Sequence, residues 1–169
     1  PVRLGSAVLC ELLRRTNLDP SQLDHVIMGC VGQVGEQTFN LARNVVLDAD
    51  IGIETPATTI DFQCGSSQQA IHLAAGMVAT GQARVVLAGG VESMSRVPMG
   101  SSLSGGSPIT DGIMARHNII SQGEAADKIA ARWNIPRDEV DTIGYHSHMR
   151  AAAATRDGVF ERELMPLPG

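Results

Sequence analysis

The chain has 169 residues, enough for one domain, or one and a part, around a sizeable core. With 43% apolar and 18% charged residues it is not a disordered segment, and no apolar run reaches the roughly 18 residues of a membrane span. A net charge of −5 argues against a general nucleic-acid binder, which needs a basic face.

Taken in order, Leu4 to Thr16 reads as an amphipathic helix, with Val8, Leu9, Leu12 and Leu13 on one face and Glu11, Arg14 and Arg15 opposite. Cys10 lies close to that apolar face and is expected in the core. Asp19-Pro20-Ser21-Gln22-Leu23 predicts a single helical turn with Pro20 at its first position. His25 to Val31 is apolar enough for a strand covered on both faces, with His25 at its surface entry. Gly29, Gly32 and Gly35 are spaced GxxGxxG rather than GxGxxG, and no Walker lysine follows, so a nucleotide cradle is not expected. A helix from Asn40 to Asp48 follows, with Leu41, Val45 and Asn44 inward. Arg43 and Asn44 are expected to anchor loops rather than to catalyse.

The most informative stretch is Thr58-Thr59-Ile60-Asp61-Phe62-Gln63-Cys64-Gly65-Ser66-Ser67-Gln68-Gln69-Ala70. It reads as a short strand (Pro56 to Ile60), a tight turn, and a helix starting just after Cys64. Ala70, Leu73, Ala74, Met77 and Val78 form the helix's inner series, and Gly81 lies past its end. The small residues Gly65, Ser66 and Ser67 would leave bare N–H groups in the first turn. A cysteine there feels the positive end of the helix dipole, which favours the nucleophilic thiolate. A free cysteine is more often a small buried hydrophobe, but such a site would not need Gly-Ser-Ser-Gln-Gln beside it. His72, eight residues on, is roughly 12 Å away along a helix and too far to act as its base. Val85 to Ala88 is the next parallel strand, reached by a right-handed crossover.

From Arg96 the character changes. Pro98 to Gly112 is rich in Gly, Ser and Pro and reads as an irregular excursion, either a linker or a loop over a substrate. Ser121-Gln122-Gly123-Glu124 is a capping box ahead of Ala126, Ile129, Ala130 and Trp133. Pro136-Arg137-Asp138-Glu139 opens a second helix, lined by Val140, Ile143, Ser147, Met149 and Ala154 and ended by Gly158. His146 and His148 face different sides of it and are expected in solvent. Cys10, Cys30 and Cys64 form no CxxC and no zinc spacing, so reduced thiols without metal, as in the cytoplasm, are expected. Pro1-Val2-Arg3-Leu4-Gly5 lacks the apolar run of a signal peptide.

Cys64-Gly65-Ser66-Ser67-Gln68-Gln69-Ala70-Ile71, followed by Val85-Val86-Leu87-Ala88-Gly89-Gly90-Val91-Glu92-Ser93-Met94-Ser95, resembles the nucleophile region of the thiolases. Gln37, Asn40 and Arg43 are similar in order to a Gly-Gln-Asn-xx-Arg-like stretch of that family. Ser121 to Asp127, and Pro136 to Phe160, look like its loop domain. The resemblance implies an α/β fold: a first core half over residues 1–95, a mixed sheet with helices on both faces, then part of a helical loop domain over 96–169. It implies acyl transfer with coenzyme A through an acyl-cysteine at Cys64, with first-turn N–H groups holding the oxyanion. It places Ser121 and Gln122 at the coenzyme A or acyl pocket, where many members carry His-Met. A homodimer or tetramer is implied, with no bound cofactor and no nucleic-acid or membrane partner. The family's Gly-His-Pro, Asn-Glu-Ala-Phe and Cys-Gly-Gly motifs do not occur here, so the chain is expected to be an incomplete thiolase, inactive alone. The alternatives are a β-ketoacyl synthase, whose nucleophile sits on a similar junction, a non-catalytic acyl or sterol binder, and a redox-sensing thiol.

Overall fold

A computed structural model describes residues 1–167, and the chain divides into two units, Pro1–Gly106 and Ser107–Gly169. In the first, the order is α1 (Val2–Thr16), β1 (His25–Gly29), α2 (Leu41–Asp48), β2 (Ala57–Ile60), α3 (Ser66–Ala79) and β3 (Val86–Gly90). The strands form one sheet in the order β2-β1-β3, and all three run parallel. The centre falls to β1 because its residues Val26-Ile27-Met28 are apolar in succession, as a strand covered on both faces must be.

Period-two alternation sorts these side chains. Val26 and Met28 face α1 and α2, packing with Leu9, Leu13, Leu41, Val45 and Val46, while Ile27 faces α3 with Ala70 and Ala74. Helices therefore lie on both faces, as expected. The α1 surface in contact is a line of Gly5, Leu9 and Leu13, with Ser6 beside it. Val8 and Leu12, expected inward, are about half exposed and line an apolar cleft of about 380 Å³ with Leu87 and Val91 of the β3 edge.

Cys10 also departs from expectation: it is exposed rather than in the core, its Sγ 3.7 Å from the Ala49 carbonyl. One residue is 100° of helix, so the neighbour of fully packed Leu9 already lies at the rim. The inner line of α3 is likewise narrower than the predicted series. Ser66, Ala70 and Ala74 are its buried positions, whereas Leu73 and Val78 are exposed. Small residues at i, i+4 and i+8 let this helix approach the sheet closely.

The loops before β2 are tied as their composition suggests. Asn40 caps α2 in the left-handed region, accepts from Thr59 Oγ1 at 2.8 Å and donates to the Ala57 carbonyl at 2.9 Å. Arg43 donates to the Thr55 and Ile53 carbonyls at 2.7 and 2.8 Å, and Asn44 to the Thr38 carbonyl at 3.1 Å, so both anchor loops. Asn44 is half-buried at the edge of a face made by Leu41, Ala42, Val45 and Val46.

The second unit is helical: α4 (Asp111–Met114), α5 (Gln122–Trp133) and α6 (Arg137–Arg156). The stretch 98–112 is irregular except for a 3₁₀ turn at Ser101–Leu103 and the start of α4, which Thr110 caps. Ser121 Oγ accepts from the Glu124 N–H at 3.2 Å, as a helix cap should. Pro136 stands at the N-cap of α6, with Asp138 and Glu139 in its first turn. None of the described residues of this unit is buried. Ile129, Trp133, Val140, Ile143 and Met149, expected to face inward, are exposed, and the Arg132 guanidinium stacks 5.0 Å over the Trp133 ring.

Candidate active site

The chain reaches Cys64 through a turn that reverses it between β2 and α3. Asp61 Oδ1 accepts from the Gln63 N–H at 2.8 Å, an Asx turn just past the last strand residue. Gln63 then adopts φ 48°, a left-handed conformation rare outside glycine. Gly65 caps α3, and its N–H donates back to the Phe62 carbonyl at 3.1 Å. Ser66 donates from both its N–H (3.1 Å) and its hydroxyl (2.6 Å) to the Gln63 carbonyl, and its Oγ accepts from the Phe62 N–H at 2.9 Å. The result is a compact knot with Cys64 at its crest.

Cys64 is exposed, so its sulfur is reachable and stands one residue ahead of the α3 cap. At that position it precedes the positive, N-terminal end of a 14-residue helix. One expectation fails here. The first-turn amides are not all bare, since Gly65 and Ser66 spend theirs on Phe62 and Gln63. The turn is too tight to leave those two donors facing outward.

Two glycines at the ends of strands set how close α3 comes to the sheet. A Cβ on Gly29 would lie 2.6 Å from the Ser66 carbonyl carbon and from the Ser67 nitrogen. A Cβ on Gly90 would strike Ser67 Oγ and come within 2.9 Å of the Gly29 carbonyl oxygen. The start of α3 therefore rests directly on the backbone of β1 and β3, a role the GxxGxxG spacing did not reveal.

Beneath the turn lies a polar staple. Gln37 is fully buried, donates Nε2 to the Gly32 carbonyl at 2.7 Å and accepts from the Ser93 N–H at 2.8 Å. Glu92 accepts from the Gly32 N–H at 2.7 Å. Together they join the loops leaving β1 and β3 at the sheet end that carries Cys64. Gln37 was legible only as part of a family-like stretch; a glutamine between a glycine-rich turn and a helix cap gives no sign of full burial.

The three cysteines occupy different environments. Cys30 is buried, and its thiol is pushed up to about 11 by desolvation first and then by Glu92 and Asp61, which makes it inert. Cys10 is exposed on α1, and Cys64 alone stands at a helix mouth. His72 is exposed on α3, and His146 and His148 are exposed on α6. His25 Nε2 lies 3.0 Å from Thr58 Oγ1, and burial lowers its pKa. Among the described residues no group of three or more His, Cys, Asp or Glu is placed to hold a metal. Ser121 and Gln122 lie in the second unit at the start of α5, with the Ser121 hydroxyl engaged as the cap.

Comparison with known proteins follows the same lines. The family model for the thiolase N-terminal domain matches residues 1–169. A steroid 3-ketoacyl-CoA thiolase of Mycobacterium tuberculosis is 41% identical over 98% of this chain and 43% of its own length. An acetyl-CoA acetyltransferase of Chromobacterium violaceum is 36% identical over 97% of this chain and 44% of its own. A 3-ketoacyl-CoA thiolase of Klebsiella pneumoniae is 40% identical, covering 94% and 40%. The chain thus spans less than half the length of the curated relatives it matches.

Proposed function

The chain belongs to the thiolase family, and from that premise we propose that it forms the nucleophile-bearing part of an acyltransferase that exchanges acyl groups with coenzyme A. The observation that carries the reading is Cys64, exposed on a knotted turn at the mouth of α3. Its thiolate attacks the 3-keto carbonyl carbon of a 3-ketoacyl-CoA. The bond between C2 and C3 breaks, acetyl-CoA leaves as its enolate and takes up a proton, and the acyl group stays on Cys64 as a thioester. The thiol of coenzyme A then attacks that thioester, releasing a shortened acyl-CoA and the free cysteine. Run in reverse with acetyl groups, the same steps condense two acetyl-CoA molecules.

Residues 1–95 supply the nucleophile half of the core in this reading, and 96–169 the part that covers coenzyme A, with Ser121 and Gln122 at the acyl pocket. The enzyme works as a homodimer or tetramer. The names of the relatives support acetyl-CoA or 3-ketoacyl-CoA substrates, in one case of steroid type. Turnover also needs a base for the cysteine and a second proton donor, and His72, the nearest histidine in sequence, lies far along α3. The chain alone is therefore expected to take up an acyl group slowly and not to turn over.

The test offers the same acyl group on coenzyme A and on acyl carrier protein, followed by peptide mapping. Thioester on the Cys64 peptide from acyl-CoA, lost in Cys64→Ala, is the expected result. Acylation from the carrier protein alone would move the chain to the condensing enzymes, and none from either would end the acyl-transfer reading.

A further inference from the structure

Ser66 belongs to the buried line of α3, where its neighbours at i+4 and i+8 are alanines. Packing alone would accept alanine at this position too. What alanine lacks is the hydroxyl, and its two bonds go to the turn rather than to the core. It accepts from the Phe62 N–H at 2.9 Å and donates to the Gln63 carbonyl at 2.6 Å. Those bonds bracket Gln63, the left-handed residue immediately before Cys64. Glutamine enters that region only when its surroundings hold it there. The Asp61 carboxylate holds Gln63 from the strand side, and Ser66 holds it from the helix side.

We propose that Ser66 is a positioning residue for the reaction of Cys64, its side chain fastening Phe62 and Gln63 so that the cysteine sulfur is presented in one direction at the mouth of α3. The proposal rests on the reading of Cys64 as the acyl acceptor. Without the hydroxyl, the Phe62 N–H loses its partner and the Gln63 carbonyl keeps only the Ser66 N–H. Gln63 can then leave the left-handed region, and the sulfur samples directions that do not meet a substrate carbonyl. Misplacement of a reacting atom by about 1 Å can cost as much as a hundredfold in rate.

The experiment follows acylation of Cys64 by acetyl-CoA over a range of concentrations, read by peptide mapping, in the wild-type chain and two variants. Iodoacetamide labelling of buried Cys30 reports on the fold in the same samples. Ser66→Ala is expected to lower the limiting acylation rate at least about tenfold, with the half-saturating acetyl-CoA concentration unchanged and Cys30 still unlabelled. Ser66→Thr, which keeps the hydroxyl, is expected to restore the rate to within about threefold of wild type. A purely structural role would change Cys30 labelling along with the rate. If Ser66→Ala reacts like wild type, the positioning role is wrong and the nucleophile reading stands. If wild-type Cys64 is not acylated at all, the reading fails and takes the proposal with it. Should Ser66→Ala expose Cys30, the hydroxyl holds the fold and the positioning role is overturned; about a tenfold loss in Ser66→Thr with Cys30 unlabelled overturns it as well.

Discussion

Replacing Gly29 with alanine is expected to lower the thermal unfolding midpoint by more than about 10 °C. The added methyl would lie 2.6 Å from two backbone atoms of α3, the Ser66 carbonyl carbon and the Ser67 nitrogen. Backbone cannot swing aside as a long side chain can, so either α3 or β1 must move. Forced overpacking of this kind costs about 1–3 kcal/mol, and a backbone-to-backbone clash belongs at the upper end. Gly76→Ala, on the same helix, gives the opposite sign. Nothing lies within 4 Å of a Cβ there, and alanine is favoured over glycine inside a helix by about 1 kcal/mol. Circular dichroism melts of the two variants test the pair: a midpoint within about 2 °C of wild type for Gly29→Ala would refute the close helix–sheet contact beneath Cys64.

Gln37→Ala should destabilise the chain by about 3–5 kcal/mol, because a cavity is added to two lost bonds. Gln37 is completely buried, and it is the group that pairs the Gly32 carbonyl with the Ser93 N–H. The Ser93 N–H left without a partner costs about 1–3 kcal/mol, while the Gly32 carbonyl keeps the Val34 N–H at 2.8 Å. Gln37→Leu restores most of the volume but neither bond, so the difference between the two variants isolates the cavity. Urea unfolding measures both. A loss below about 1 kcal/mol for Gln37→Ala would show that the staple is not needed to hold the loops together.

The order of elements up to β3 could be read from the sequence because periodicity and turn residues agree there. Apolar Val26-Ile27-Met28 demanded a covered strand, Asn40 and Pro20 marked helix starts, and Gly65-Ser66-Ser67 marked the turn into α3. Which line of a helix touches its neighbours was less accessible. Val8, Leu12, Leu73 and Val78 are as apolar as the residues that pack, yet the contacts on α3 run through Ser66, Ala70 and Ala74. A pattern of large residues marks a face but not how closely the facing backbone approaches, and that distance is set here by Gly29 and Gly90. Cys10 was misplaced by the same rotation of about one residue.

At the candidate site the exposed Cys64 and the helix after it were legible, and the knot was not. Nothing in Asp61-Phe62-Gln63 announces a left-handed glutamine, since the conformation comes from bonds made by Asp61 and Ser66. The expectation of open amides failed for the same reason: a turn held this tightly consumes its own donors. In the second unit the apolar stripes of α5 and α6 are present as read, but the described residues do not bury them.

The most direct measurement is acylation by acetyl-CoA, resolved by peptide, of Cys64 against exposed Cys10 in the wild-type chain. If the turn at the mouth of α3 presents Cys64 as the nucleophile, the acyl group accumulates on the Cys64 peptide at least about tenfold faster than on the Cys10 peptide. Equal acylation of the two cysteines would contradict a nucleophile presented at this turn.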